Sequence, residues 1–242
     1  MSQALLDASG KVLLLSGAWG GVGRAILTRY VASGGTVVAL DRSPGPDTPG
    51  VLSLTCDVTR EDEVEAAIAQ AISRHGRIDA FVHAAGIVGA GDLQTTALAD
   101  WQAVMDANLT SAFLLSRALH PALDGSKGAV VLLGSTNGAN GGSALSGAAY
   151  ATAKAGLSNL GRHLAKAWSP QIRVNVVAPG PVRTPMLDRL SPDQMQALKD
   201  TMLTGELIEA DEVAAAVAFL LSDHARSITG TTLNLSGGLV LS

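Results

Sequence analysis

The chain has 242 residues, of which 47% are hydrophobic and only 3% aromatic, with 27 glycines and a net charge of −4. Such a length and composition provide for one sizeable aliphatic core with close backbone approaches, and they exclude intrinsic disorder. The charge is mixed in sign with no basic run, so neither nucleic acid nor an anionic membrane is expected as a partner.

Lys11–Leu15 reads as a first strand, and it leads into Ser16-Gly17-Ala18-Trp19-Gly20-Gly21-Val22-Gly23 and a segment of helical spacing, Gly23–Ser33. A strand, a glycine turn and a helix form an anion site. Gly17 permits the turn, Gly21 lets the backbone approach a pyrophosphate, Gly23 lets helix and strand pack closely, and the helix start supplies free N–H groups. The glycine spacing is G-x-x-x-G-x-G rather than G-x-G-x-x-G. Thr36–Leu40 is the second strand and ends at Asp41, where a carboxylate would bond ribose hydroxyls and repel a 2′-phosphate. Arg42 would hold such a phosphate only if it turned inward, so NAD is expected in preference to NADP. Asp41 also reads as a turn residue heading the connector Arg42–Gly50, in which Pro44, Pro46 and Pro49 rule out a helix.

Val51–Thr55, the third strand, is followed by Cys56, the only cysteine. No intrachain disulfide is possible, the N-terminus lacks a secretory pattern, and no apolar run approaches the roughly 18 residues of a membrane span, so a cytoplasmic location is expected. Asp57-Val58 places a carboxylate either beside an adenine or at the cap of the helix Glu61–His75. Ala80–His83 is the fourth strand, and Ala99–Leu119 a helix in which Asn108 would by itself be unremarkable.

The fifth strand, Ala129–Leu133, is followed closely by Ser135, whose hydroxyl would face the carboxyl end of the sheet, where doubly wound folds bind ligands. The helix Ala149–Ala167 carries Tyr150 and Lys154, and a spacing of four puts them on one face. A phenol of pKa about 10 is a poor acid–base catalyst at neutrality, and a neighbouring ammonium lowers that value. Arg173–Ala178, Asp211–Leu221 and Thr231–Leu235 complete the alternation as strand, helix and strand. Before that last helix runs a partly helical, Met-rich stretch, about 185–209, that reads as a substrate lid or as ordinary packing. The pattern is α/β: a doubly wound parallel sheet of about seven strands with helices on both faces, in one domain spanning 1–242.

No serine sits in a G-x-S-x-G elbow, and the five histidines are scattered, so neither a serine hydrolase nor a metal site is expected. The remaining rival to a catalyst is a non-catalytic dinucleotide-binding protein on the same fold.

In their order along the chain these residues resemble the short-chain dehydrogenase/reductase family, over nearly the whole length. Ser16-Gly17-Ala18-Trp19-Gly20-Gly21-Val22-Gly23 stands for the family's T-G-x-x-x-G-x-G, Asp57-Val58 for its D-V, and His83-Ala84-Ala85-Gly86 for its N-N-A-G. Asn108, Ser135, Tyr150 and Lys154 match the active-site set, and Pro179-Gly180-Pro181-Val182-Arg183-Thr184 the P-G-x-x-x-T segment. Because Ser135 and Tyr150 lie further apart than the family usually has them, Ser143 and Ser146 are alternatives for the hydroxyl.

The resemblance implies a Rossmann-type fold and an oxidoreductase that passes hydride between NAD(H) and a secondary or cyclic alcohol or ketone. A 3-oxoacyl thioester reductase using NADP(H) is the alternative. Tyr150 would exchange the substrate proton, Ser135 orient the carbonyl, Lys154 bond the nicotinamide ribose, and Asn108 hold a relay water. Gly17, Trp19, Gly21, Val22, Gly23, Asp41, Arg42, Asp57, Val58, Ala84, Ala85, Gly86, Tyr150, Lys154, Pro179, Gly180, Val182 and Thr184 would line the coenzyme, with Val182 and Thr184 at its carboxamide. A homotetramer or homodimer is implied on the same ground.

Overall fold

In the computed structural model, which describes residues 6–241, the apolar runs form one parallel sheet of seven strands. They are β1 (Val12–Ser16), β2 (Thr36–Asp41), β3 (Val51–Thr55), β4 (Ala80–His83), β5 (Ala129–Leu133), β6 (Arg173–Pro179) and β7 (Thr232–Leu235). Each expected strand is present within one residue at either end. The order across the sheet is β3-β2-β1-β4-β5-β6-β7. After β3 the chain returns past β1, which pairs with β2 through Leu13 and Val37 and with β4 through Leu13 and Ala80. That reversal opens a crevice at the carboxyl ends of β1 and β4.

Helices cover both faces: α1 (Gly21–Ala32), α2 (Glu61–His75), α3 (Leu98–Met105), α4 (Ser111–Ser126), α5 (Asn137–Asn140), α6 (Gly147–Ala167), α7 (Pro192–Asp200) and α8 (Ala210–Leu221). Alternate strand residues feed two cores. Leu13, Leu15, Val37, Val82 and Val131 pack with α1 and α8. Leu14, Val38, Phe81, Val130 and Leu132 pack with α2, α4 and α6. Every residue of β1, β4 and β5 is buried, which is why these strands read as unbroken apolar runs. No helix among the described residues is long and apolar enough to cross a membrane.

Three local features depart from expectation. The helix expected at Ala99–Leu119 is two helices, α3 and α4, joined without a break by a π-turn at Asp106–Thr110 and continuing to Ser126. Pro121 does not end it, because the only backbone carbonyl it strands is that of Arg117, an exposed residue. A further short helix, α5, fills the glycine-rich stretch after Ser135.

The connector 42–50 crosses between parallel strands with no helix, as its prolines require. The indole of Trp19 lies directly on Gly45, leaving no room there for a Cβ, and so occupies part of the space a crossover helix would fill.

At the other end of the sheet, the half-buried Arg173 donates to the carbonyls of Leu220 (2.8 Å), Ser222 (3.3 Å), Leu221 (3.4 Å) and Ile228 (3.5 Å). These include the orphan carbonyls at the end of α8. Arg173→Met retains the apolar stem and removes every donor, so it should lower stability by about 1–3 kcal/mol in urea melts. An unchanged midpoint would mean that water satisfies these carbonyls equally well.

Candidate active site

The turn after β1 is built by contacts that admit no side chain. Gly17 has φ +68°, and a Cβ on it would stand 2.6 Å from the Ala85 nitrogen; one on Gly23 would strike the Gly17 carbonyl. Ala84 N–H donates to the Ser16 carbonyl at 3.1 Å, so Ala84 and Ala85 lie against the turn. Helix α1 has Gly20 at its N-cap, no side-chain cap and no acidic residue in its first turn. The N–H groups of Gly21, Val22 and Gly23 therefore open its positive end, which fits a pyrophosphate. Gly21 faces the methyl group of Thr184, 2.7 Å from where its Cβ would be.

The Asp41 carboxylate accepts from Trp19 N–H at 3.1 Å and from Ser43 N–H at 3.2 Å. It is at once the turn residue of the connector and an anion fixed beside the glycine turn. Arg42 is exposed. Asp57 accepts from Thr59 N–H and Oγ at 3.0 and 2.7 Å, whereas the N-cap of α2 is Arg60, so Asp57 shapes the turn ahead of that helix. Val58 is buried beside it.

At the carboxyl ends of β4 and β5 the remaining residues meet. Lys154, 5% exposed, donates from Nζ to the Leu133 carbonyl at 2.8 Å and stands 5.5 Å from the centre of the Tyr150 ring. Burial pushes its pKa down to about 8. The Ser135 hydroxyl accepts from Asn137 N–H at 3.2 Å and lies near enough to Tyr150 to act on its phenol. Ser143 and Ser146 instead bond within the loop before α6, where Ser146 Oγ donates to the Ser143 carbonyl at 3.1 Å and Ser143 Oγ accepts from Leu145 N–H at 3.3 Å.

The expected fall in the phenol's pKa is not found in the protein alone. Burial holds Tyr150 above its ordinary value, with the nearby Ser135 hydroxyl working the other way. The Lys154 ammonium lies over the ring and its bond goes to the Leu133 carbonyl, so it does not bond the hydroxyl.

Asn108 lies in the π-turn, where its amide nitrogen donates to the carbonyls of Ile87 and Val104, both at 2.8 Å. Its Oδ1 is buried without a partner. That oxygen and Lys154 Nζ both border Gly86, where a Cβ would strike the first and lie 3.6 Å from the second. A buried, unpaired acceptor beside an ammonium is suited to receive a hydroxyl or a water. Pro179 ends β6, with Gly180, Val182 and Thr184 following it on the adjoining side, and Thr136 N–H bonds the Pro179 carbonyl at 2.9 Å.

The stretch 185–209 leaves and returns at one point. Val182 forms a parallel bridge with Ile208, Arg183 N–H bonds the Ile208 carbonyl at 2.8 Å, and Arg183 pairs with Glu209 at 2.7 Å. Met202, Leu207 and Ile208 are core residues and Leu187, Met195 and Leu198 pack against that core, while Met186 and Leu203 are exposed. Most of its apolar residues are thus ordinary packing. The sequence reading missed the polar partners of His83, which join it to Ser16 and Ser111.

The chain is similar to known proteins over nearly its whole length. A family model described as enoyl-(acyl carrier protein) reductase matches residues 17–240. The 3-oxoacyl-[acyl-carrier-protein] reductase FabG of Salmonella typhimurium is 36% identical, over 98% of this chain and all of that protein. A Brucella melitensis structure described as a short-chain dehydrogenase/reductase, glucose/ribitol dehydrogenase, superposes with a TM-score of 0.92 at 30% identity, covering 98% and 99% of the two chains. The aldohexose dehydrogenase of Thermoplasma acidophilum gives 0.89 at 30%, over 97% and 94%.

Gly86→Ala tests how tightly these groups are set. The new methyl group would push on Asn108 Oδ1, whose amide is held by two carbonyls. The variant should keep the wild-type far-ultraviolet spectrum and lose on the order of 10²-fold in dinucleotide-dependent turnover. Wild-type turnover would mean that the crowding is relieved without cost.

Proposed function

From the premise that this chain belongs to the short-chain dehydrogenase/reductase family of NAD(P)-dependent oxidoreductases, we propose that it passes hydride between NAD(H) and a secondary or cyclic alcohol or its ketone, with Tyr150 as the acid–base. The observation that carries the reading is the meeting of Tyr150, Ser135, Lys154 and Asn108 at the carboxyl ends of β4 and β5, next to the glycine turn.

When bound, a nicotinamide coenzyme would supply hydride to the carbonyl carbon in reduction or accept it in oxidation, and its oxidised ring would add positive charge to the site. Tyr150 gives its hydroxyl proton to the carbonyl oxygen in reduction and receives it from the alcohol in oxidation. Ser135 bonds that same oxygen and holds it against the phenol. Lys154 keeps donors for a ribose hydroxyl after its bond to the Leu133 carbonyl, since an ammonium has three. Asn108 Oδ1 accepts from a water that relays a proton from solvent to Tyr150 in reduction and from Tyr150 to solvent in oxidation. Burial keeps the Tyr150 phenol protonated in the protein alone, and the positive charge of an oxidised coenzyme would bring its pKa down toward the working range. The excursion 185–209, pinned at Val182 and Ile208, serves as the substrate lid.

NAD is favoured by Asp41, which would repel a 2′-phosphate, and by the Trp19 indole, which puts no cation where that phosphate would lie. A second reading, reduction of a 3-oxoacyl thioester with NADP(H), is supported by the name of the Salmonella relative.

Tyr150→Phe should reduce turnover by on the order of 10²–10⁴-fold while its affinity for NADH, read by fluorescence titration, stays within about twofold of wild type. Retained turnover would remove Tyr150 from the mechanism. Steady-state kinetics with each coenzyme, using cyclic ketones and a 3-oxoacyl thioester, should favour NADH, and Asp41→Ala should erode that preference by roughly 10–100-fold. A wild-type preference for NADPH with the thioester would establish the second reading.

A further inference from the structure

His83 stands where the resemblance expects an asparagine, and it is fully buried. Its Nδ1 lies 2.8 Å from Ser16 Oγ on β1, and its Nε2 lies 3.3 Å from Ser111 Oγ at the start of α4. Both hydroxyls are fully buried too. The protons in this chain can be assigned by counting. Ser111 has one hydroxyl hydrogen, and its oxygen lies 2.9 Å from the Ala107 carbonyl, which has no hydrogen to offer. Ser111 must therefore donate to Ala107, and it can only accept from His83. Nε2 then carries the hydrogen, and Nδ1 accepts from Ser16. The opposite tautomer would leave a bare Nε2 lone pair facing the lone pairs of the Ser111 oxygen.

The link to the site runs through the π-turn. In an α-helix Ser111 N–H would bond the Ala107 carbonyl, but here it bonds that of Asp106. The Ser111 hydroxyl takes over the carbonyl so released, and His83 fixes that hydroxyl. The wide turn is what carries Asn108 with its Oδ1 toward Gly86 and Lys154.

We propose that His83 is a positioning residue, locked as the Nε2–H tautomer between Ser16 and Ser111, that holds the π-turn in the register which presents Asn108 Oδ1 to the active site. Burial and then the nearby charge of Lys154 hold the ring neutral, with its pKa pulled down to about 3. His83 reaches farther than the asparagine it replaces: an asparagine amide ends near the place of Nδ1 and meets Ser16 alone. A glutamine amide ends near the place of Nε2 and can donate to Ser111.

The functional half of this proposal rests on the dehydrogenase reading, and the structural half does not. Nitrogen-15 NMR of the full chain, with the His83 ring identified by its loss in His83→Gln, should show a protonated Nε2 and a bare Nδ1. That state should persist through the region of pH 6.5, where an ordinary histidine titrates. An Nδ1–H tautomer, or titration in that region, overturns the proposal whether or not the protein is active. In kinetics, His83→Asn and Ser111→Ala should lose at least about tenfold in kcat with an unchanged KM for coenzyme, while His83→Gln stays within about threefold of wild type. Wild-type kcat in both His83→Asn and Ser111→Ala overturns it. If His83→Asn does not fold, Ser111→Ala decides alone, because it leaves the ring and its Ser16 bond in place. A wild-type protein inactive toward every alcohol and ketone tried refutes the dehydrogenase reading instead, and the tautomer then judges the proposal.

Discussion

The arrangement at the carboxyl edge of the sheet depends on one ammonium kept inside the protein. Lys154 spends a donor on the last carbonyl of β5, and burial depresses its pKa to about 8. Removing a cation from water is costly unless hydrogen bonds and acceptors replace the solvent. The Leu133 carbonyl, the Tyr150 ring face and the unpaired Asn108 oxygen near Gly86 surround it. These three come from β5, α6 and the π-turn. A single charge thus unites elements far apart in sequence, and it leaves donors free for a ligand.

That grouping requires backbones to approach more closely than side chains allow. The turn after β1 touches the turn after β4 because Gly17 is glycine, and α1 starts against that turn because Gly23 is glycine. Gly86 leaves a gap between Asn108 and Lys154 of a size that a methyl group would close. Glycine in these places costs conformational entropy, which the deeply buried strands on either side offset. The rigid sheet holds the backbone, and the chemistry occupies the space left by absent side chains.

The strands were legible because a parallel sheet covered on both faces demands unbroken apolar runs, and β3, β4 and β5 follow those runs residue for residue. The four-residue spacing of Tyr150 and Lys154 likewise specified one helical face. The π-turn was not legible, since it depends on which carbonyl the Ser111 N–H selects and no residue type in Asp106–Thr110 announces that choice. The expected effect of Lys154 on Tyr150 failed for a related reason. Spacing places two side chains on a face, but it says nothing of how deeply they are buried, and burial sets the sign of the phenol's shift. The bulk of Trp19 and the small size of Gly45 were each visible, yet their contact exists only once β2 and the glycine turn are placed side by side.

That contact bears on how the coenzyme end is ordered. A connector of nine residues between parallel strands, 42–50, is shorter than the dozen or so that usually carry a crossover helix. Without a helix, the flank of β2 would lie open where Asp41 must hold a fixed position. The Trp19 indole covers Gly45 while the backbone N–H of the same residue bonds the Asp41 carboxylate, so the turn that anchors the acid also packs the shortened crossing. The short connector and the large residue in the glycine turn therefore fit each other: the indole fills space over Gly45, and the backbone of the same turn fixes the carboxylate at the end of β2.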